Sequence, residues 1–354
     1  MPHSSRVVKI VLVPRHELWH YLVSHPPVPD GELSTDPSSR YHSHFSVQYG
    51  NGLVGTIQIN GPASADYDID LGTYPITDWY HETADRLQLQ AERGAPPAGD
   101  NVLFNGTNVQ VNGTGGAYSR VKLTPGKKHR LRLINTSAEN HFTLSLAGHN
   151  FTVIQTDFVP VRPLVKREIF LALGQRYDII IDATQPVDNY WFNATLTKSG
   201  LCGLSKNPFP AAIFSYEGAK EGLPTKPGPT IDATCKDSTG FVPIVERFAE
   251  KDDFVGHQQE LAVNLTQTLS SRGKIFQWTV NGSTADVQWE KPTLQYVQEK
   301  NTTYPAGANI ISLDQAGVWT FWIIDNLPGA LVRTYLLLSP PLSPPFTSSQ
   351  SQTS

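Results

Sequence analysis

Two histidines one residue apart, His42 and His44, lie in the run Tyr41-His42-Ser43-His44-Phe45, with Gln48-Tyr49-Gly50-Asn51-Gly52 close behind. Read as a β-strand, this run points both imidazoles to the same face, because side chains alternate with period two. Same-face imidazoles a few ångströms apart can hold two neighbouring metal ions or two corners of one site, and copper suits such a nitrogen-rich donor set. Two rings do not complete a redox copper centre, so further ligands have to come from elsewhere. The histidines at His81, His129, His141, His149 and His257 occur singly, and none forms a second His-x-His pair. His129, between Lys128 and Arg130, reads as solvated or locally hydrogen-bonded rather than metal-bound.

The elements that would position these residues are β-strands. Of 354 residues, 17% are charged and 10% aromatic, with 27 Gly and 27 Pro, the profile of a turn-rich, mostly β protein. Strand-length runs cover 53–59, 121–123, 129–134, 151–156, 168–173, 177–183, 190–196 and 211–216. Gly, Pro, Asn and Asp punctuate them, which argues for an all-β sandwich. The segment 80–91 has helical character, and the Pro-rich stretch 217–232 reads as an inter-domain linker. Further β runs at 261–265, 276–280 and 310–324 begin a second unit, and the Pro/Ser/Thr/Gln tail 339–354 cannot continue a core. A formal net charge of −4 gives no electrostatic reason to expect nucleic acid or an anionic membrane as partner.

Compartment is indicated by Asn-x-Ser/Thr sequons at Asn105, Asn112, Asn135, Asn150, Asn193, Asn264, Asn281 and Asn301. That density fits an extracellular glycoprotein. The two cysteines, Cys202 and Cys235, match no metal or redox spacing and read as a structural disulfide. The start conflicts with secretion: the apolar run 7–13 is interrupted by Lys9 and followed by no small-residue cleavage site, so residue 1 is read as not the natural start.

From Tyr41 to about Trp322 the chain resembles the laccases of filamentous ascomycete fungi, members of the three-domain multicopper oxidase family. The resemblance runs through YHSHFSVQYGNGLVGTIQINGPAS, DYDIDLGTYPITDWY, DNVLFNGTNV, LTPGKKHRLRLINTSAENHF, LALGQRYDIIIDA, DNYWFNATL, IFQWTVNGS and YPAGANIISLDQAGVWTFW. It implies cupredoxin-like Greek-key β-sandwich domains, one complete and two partial. The expected divisions are an unmatched segment 1–40, the end of domain 1 at 41–64 and a complete domain 2 at 65–225. A linker at 226–242, an incomplete domain 3 at 243–326 and an aberrant tail at 327–354 follow. The implied reaction is one-electron oxidation of phenols at one copper, coupled to reduction of O2 to water at a trinuclear copper cluster, with four coppers in a complete enzyme. A monomer with phenols and O2 as its small-molecule partners is expected.

By the same resemblance His42 and His44 match the His-x-His pair that ligates the two type 3 coppers. Glu139 matches the acid that accepts the phenolic proton. Ala95, Pro96, Phe276 and Trp278 match the walls that hold the aromatic ring. The acid beside aromatic positions favours phenols over ascorbate or a metal ion as substrate. The chain departs from the family in its copper motifs: of four it carries one, and His16, His20 and His25 do not reproduce the first. The reading is therefore of a family member truncated at both ends and inactive alone, against a second reading of a non-catalytic β-sandwich glycoprotein.

Overall fold

A computed structural model describes residues 38–198, 200, 202–245, 258–271, 273–285, 288, 290–311, 320–326 and 334–338, the side chains of 258–260, 320–326 and 334–338 excepted. The expectations for the apolar run 7–13, the early histidines, His257 and the tail 339–354 fall outside these residues. Two compact units emerge, one from the described parts of Tyr21–Ala91 and Ala95–Glu246, the other from those of Glu92–Gly94 and Arg247–Ser354.

In the larger unit, β1 (Ser38–His42) pairs with β2 (Val54–Gln58) as a hairpin. Then come β3 (Ile69–Trp79), α1 (Ala84–Ala91), β4 (Asn101–Phe104), β5 (Arg120–Leu123), β6 (Lys128–Asn135) and β7 (Phe142–Leu146). They are followed by β8 (Phe151–Thr156), β9 (Val159–Lys166), β10 (Glu168–Leu171), β11 (Arg176–Asp182), β12 (Asn189–Thr195) and β13 (Ala211–Tyr216). A six-stranded sheet ordered β4-β3-β6-β11-β8-β9 faces a five-stranded one ordered β10-β7-β12-β13-β5. This is the expected cupredoxin-like sandwich. Leu131 and Leu133 from β6 meet Tyr177, Ile179 and Ile181 from β11 in the core. Phe192 is its centre, stacked on Phe214 at 4.8 Å and edge-on to Tyr74, Phe104 and Phe151 at 6.0–6.3 Å.

The outer face of β6 is buried as well. Arg130 and Arg132 are fully buried and converge on Asp178, which stands opposite Arg132 in the β6–β11 ladder. Arg130 pairs with Asp178 Oδ2, and Arg132 Nη1 reaches the same oxygen at 3.1 Å. Arg132 Nη2 binds Asp70 at 2.8 Å, and Ser38 Oγ donates to Asp178 Oδ1 at 3.0 Å. That last bond ties the start of β1, and with it the histidine run, to the sandwich.

The stretch read as a linker is strapped to the domain. Asn189 Nδ2 donates to Lys220 O at 2.9 Å, Arg120 Nη2 to Gly222 O at 2.9 Å, and Phe170 N to Ser238 Oγ at 2.9 Å. Beyond it, Arg162 N donates to Val242 O and Ile244 N to Pro160 O, covering β9, the edge strand of its sheet. A disulfide joins Cys235 of this strap to Cys202 in the loop between β12 and β13. With its ends 33 positions apart in sequence, opening it by Cys235→Ser is expected to lower stability by about 3 kcal/mol, read from the shift in urea midpoint.

His129 takes the second of its two expected forms, locally hydrogen-bonded: it is 1% exposed, and its Nε2 accepts the Thr124 amide at 2.9 Å. His149 is buried too, its Nδ1 against Ala147 O and its Nε2 against Tyr216 Oη, both at 2.7 Å. Burial holds His129, His141 and His149 below the ordinary histidine value. The unfolded chain therefore takes up these protons first, so stability is full at neutral pH and falls as pH drops through about 6.5. Melting temperatures from pH 8 to pH 5 are expected to decline across that window, and His149→Gln to flatten part of the decline.

In the second unit, β14 (Gln258–Ser270) pairs antiparallel with β15 (Gly273–Val280) and parallel with β16 (Thr320–Asn326). β16 in turn pairs with β17 (Thr334–Leu338), so a strand stands inside the stretch expected to be an aberrant tail. A short helix, α2 (Thr293–Gln298), lies between β15 and β16.

Candidate copper and substrate site

The strand carrying the histidine pair ends at His42, and His44 lies two residues beyond it. The two rings stand at a centroid separation of 5.6 Å. His42 Nδ1 sits 3.0 Å from Ser43 O. A carbonyl only accepts, so Nδ1 carries the proton and Nε2 presents its lone pair, the tautomer a metal ligand needs. His44 is exposed. The pair thus fits as part of a copper site, yet no group of three or more His, Cys, Asp or Glu suited to a metal occurs among the described residues. Here the residues supply two donors and leave the rest of a redox centre unprovided.

Behind His42 stands Tyr49, its ring 4.8 Å away, on a single 3₁₀ turn (Gln48–Asn51) closed by Gly52 at φ 89°. Gly50 is required there, since a Cβ would lie 2.8 Å from that of Ala84. Asn51 Oδ1 accepts the Ala84 amide at 2.7 Å and so caps α1, the helix expected within 80–91. Burial pushes the Tyr49 phenol up to about 12, and its hydroxyl donates to Thr136 O at 2.7 Å, with Ser137 O also in contact.

Thr136 begins the loop that carries Glu139. Three consecutive amides of that loop converge on the buried Asp78 at the end of β3: Ala138 N on Oδ1 at 2.8 Å, Glu139 N and Asn140 N on Oδ2 at 2.8 and 3.1 Å. Tyr80 Oη reaches Oδ2 at 3.4 Å. Sequence reasoning missed Asp78, Tyr49 and Tyr80, because only the fold brings Asp78 to residues sixty positions away. Glu139 itself is half-buried. Burial, and secondly the neighbouring Asp78 charge, raise its carboxyl above the usual glutamate range.

Ala95 and Pro96 are exposed on the loop leading to β4. Gly99 in that loop packs on the next residue to Glu139, its Cβ position 3.4 Å from Asn140 Nδ2. Within the larger unit the fold therefore sets the Ala95–Pro96 loop beside the Glu139 loop. In the second unit, Phe276 and Trp278 alternate on β15 and are 37% and 59% exposed, with Leu265 opposite Trp278 at 41%. They present an apolar surface rather than filling a core.

The sequons divide by structure. Asn105, Asn112, Asn150 and Asn281 are exposed, and Asn193, Asn264 and Asn301 are half-buried. Asn135 is fully buried, its Nδ2 donating to Asn140 O and Leu171 O at 2.9 and 3.1 Å while its Oδ1 accepts Ser137 N. With both amide hydrogens in use and no space around it, Asn135 is not a glycan position in the folded domain, contrary to the sequence expectation.

Residues 71–219, most of this sandwich, match the multicopper oxidase family model. The chain belongs to the multicopper oxidase family. Among its relatives it is similar to laccase-1 of Melanocarpus albomyces, 51% identical over 82% of this chain and 46% of that protein. It also resembles the laccase of Cryphonectria parasitica, 49% identical over 83% of this chain and 49% of that protein. The crystal structure of the laccase from Botrytis aclada matches with a TM-score of 0.74 at 32% identity, covering 83% of this chain and 55% of that one. The chain spans about half the length of the curated relatives it matches.

Proposed function

We propose that this chain serves a laccase-type oxidase that removes single electrons from phenols and reduces O2 to water. Copper, when bound, supplies the electron transfer. His42 and His44 are its ligands here, and their partners come from outside the described residues. Glu139 takes the phenolic proton: loss of an electron makes a phenol strongly acidic, and a half-buried carboxylate raised above its ordinary range is a better base for that proton than a free one. Ala95 and Pro96 offer apolar surface for the ring in the larger unit, and Phe276 and Trp278 are exposed apolar surface of the second unit, each suited to an aromatic ring. The observation that carries this reading is the Glu139 loop, fixed by three amides on Asp78. Placement outside the cell belongs to the same proposal. Among the described residues no helix is long and apolar enough to cross a membrane.

Oxygen uptake with a methoxyphenol, by a copper-loaded full-length oxidase that carries this chain together with the remaining copper ligands, tests the reading. Consumption of one O2 per four phenols, without hydrogen peroxide, is expected. Peroxide as the product, or oxidation of ascorbate but not of phenols, would overturn it.

A further inference from the structure

The larger unit also carries a cavity that phenol oxidation does not use. At the end of β3 neighbouring side chains part company: Asp78 is buried under the Glu139 loop, whereas Trp79 is 44% exposed. Trp79, His81, Gln110 and Asn112 line a cavity of about 550 Å³, within the range of small-molecule sites, ~300–1,000 Å³. Its two charged lining groups, Lys206 and Asp100, pair with each other at 2.5 Å. What remains is the Trp79 face with apolar Leu103 and Val111 beside neutral amides and His81, a lining that suits a neutral ring with one apolar face and hydroxyl or acetamido groups at its rim. A sugar has that chemistry.

Asn112 provides the second observation, because it both lines the cavity and heads a sequon with Thr114. Its Oδ1 accepts the Thr114 amide at 3.1 Å and the Thr114 hydroxyl at 2.7 Å. The amide is thus held by its oxygen and keeps Nδ2 for substitution, the reverse of Asn135, whose Nδ2 is spent inside the domain.

We propose that this cavity cradles the first sugar of a glycan linked to Asn112, with Trp79 as its stacking platform. Attachment joins Nδ2 to the anomeric carbon of a glycosyl pyrophosphate donor. The anomeric C–O bond breaks, the pyrophosphate leaves with the electron pair, and Nδ2 loses one proton. Trp79 then shields the new linkage from solvent.

The test uses the full chain secreted from a glycosylating eukaryotic host, with peptide-level mass spectrometry during timed digestion by a peptide N-glycosidase under native conditions. Asn112 is expected to be occupied, with release at least tenfold slower than from the exposed Asn105 and Asn281. Trp79→Ala is expected to bring release at Asn112 to the rate at those sites, and Trp79→Tyr to keep most of the protection. An unmodified Asn112, or release as fast as at Asn105 and Asn281 in the unsubstituted protein, overturns the proposal whether or not the Ala variant folds. Equal protection in the folded Ala variant also overturns it.

Discussion

Replacing Asp178 with Ala is expected to lower folding stability by about 3–5 kcal/mol, because it removes the carboxylate from two buried guanidinium groups. Arg130 and Arg132 are both 0% exposed, so water cannot take the place of the lost acceptor. Arg132 keeps Asp70 at 2.8 Å. The Ser38 hydroxyl loses its acceptor as well, which loosens the β1–β2 hairpin that presents His42. Guanidinium unfolding of the variant is expected to show a lower midpoint at unchanged slope. A loss under about 1 kcal/mol would mean that the cluster is not what holds the hairpin to the sandwich.

Glu139→Gln is expected to lower phenol turnover about 100-fold in copper-loaded, active oxidase, the usual scale for losing a general base. Gln keeps the size and the polar end of the side chain but cannot accept the proton. The loop should stay in place, since Asp78 holds it through backbone amides rather than through the Glu139 carboxyl. A donor that releases no proton, such as ferrocyanide, is expected to react as before. With the carboxyl raised by burial and by Asp78, activity on phenols falls as pH drops through a value above the ordinary glutamate range, and that limb is expected to vanish in the variant. Asp78→Asn should lower the limb by removing the neighbouring charge. Equal losses on phenol and ferrocyanide would assign Glu139 a structural part only.

Much of the sandwich is legible in sequence because its strands are short β-type runs set between clear turn signals. β8 (Phe151–Thr156) and β13 (Ala211–Tyr216) stand at the expected residues. β3 and β9 are hidden for a physical reason: Gly72 and Pro75 interrupt the first, Pro160 and Pro163 the second. Both tolerate their prolines where the ladder does not need the missing donor, and β9 is an edge strand. Proline-rich residues 217–232 look like a free linker, but side chains elsewhere, Asn189 and Arg120 among them, bind their carbonyls. No local pattern encodes that. At the site, the resemblance names His42 and Glu139, while Tyr49 and Asp78, which place them, are ordinary residues until the fold closes. Asn135 shows the converse, a sequence motif whose acceptor the fold consumes.

Copper at the histidine pair is the most direct measurement of the assignment. Diffraction from copper-soaked crystals, recorded on both sides of the copper absorption edge, is expected to show an anomalous peak on the Nε2 side of His42, with a neighbouring one at the His44 imidazole. The peak should disappear in His42→Ala. Copper bound elsewhere with the pair left bare, or binding unchanged by that substitution, would contradict it.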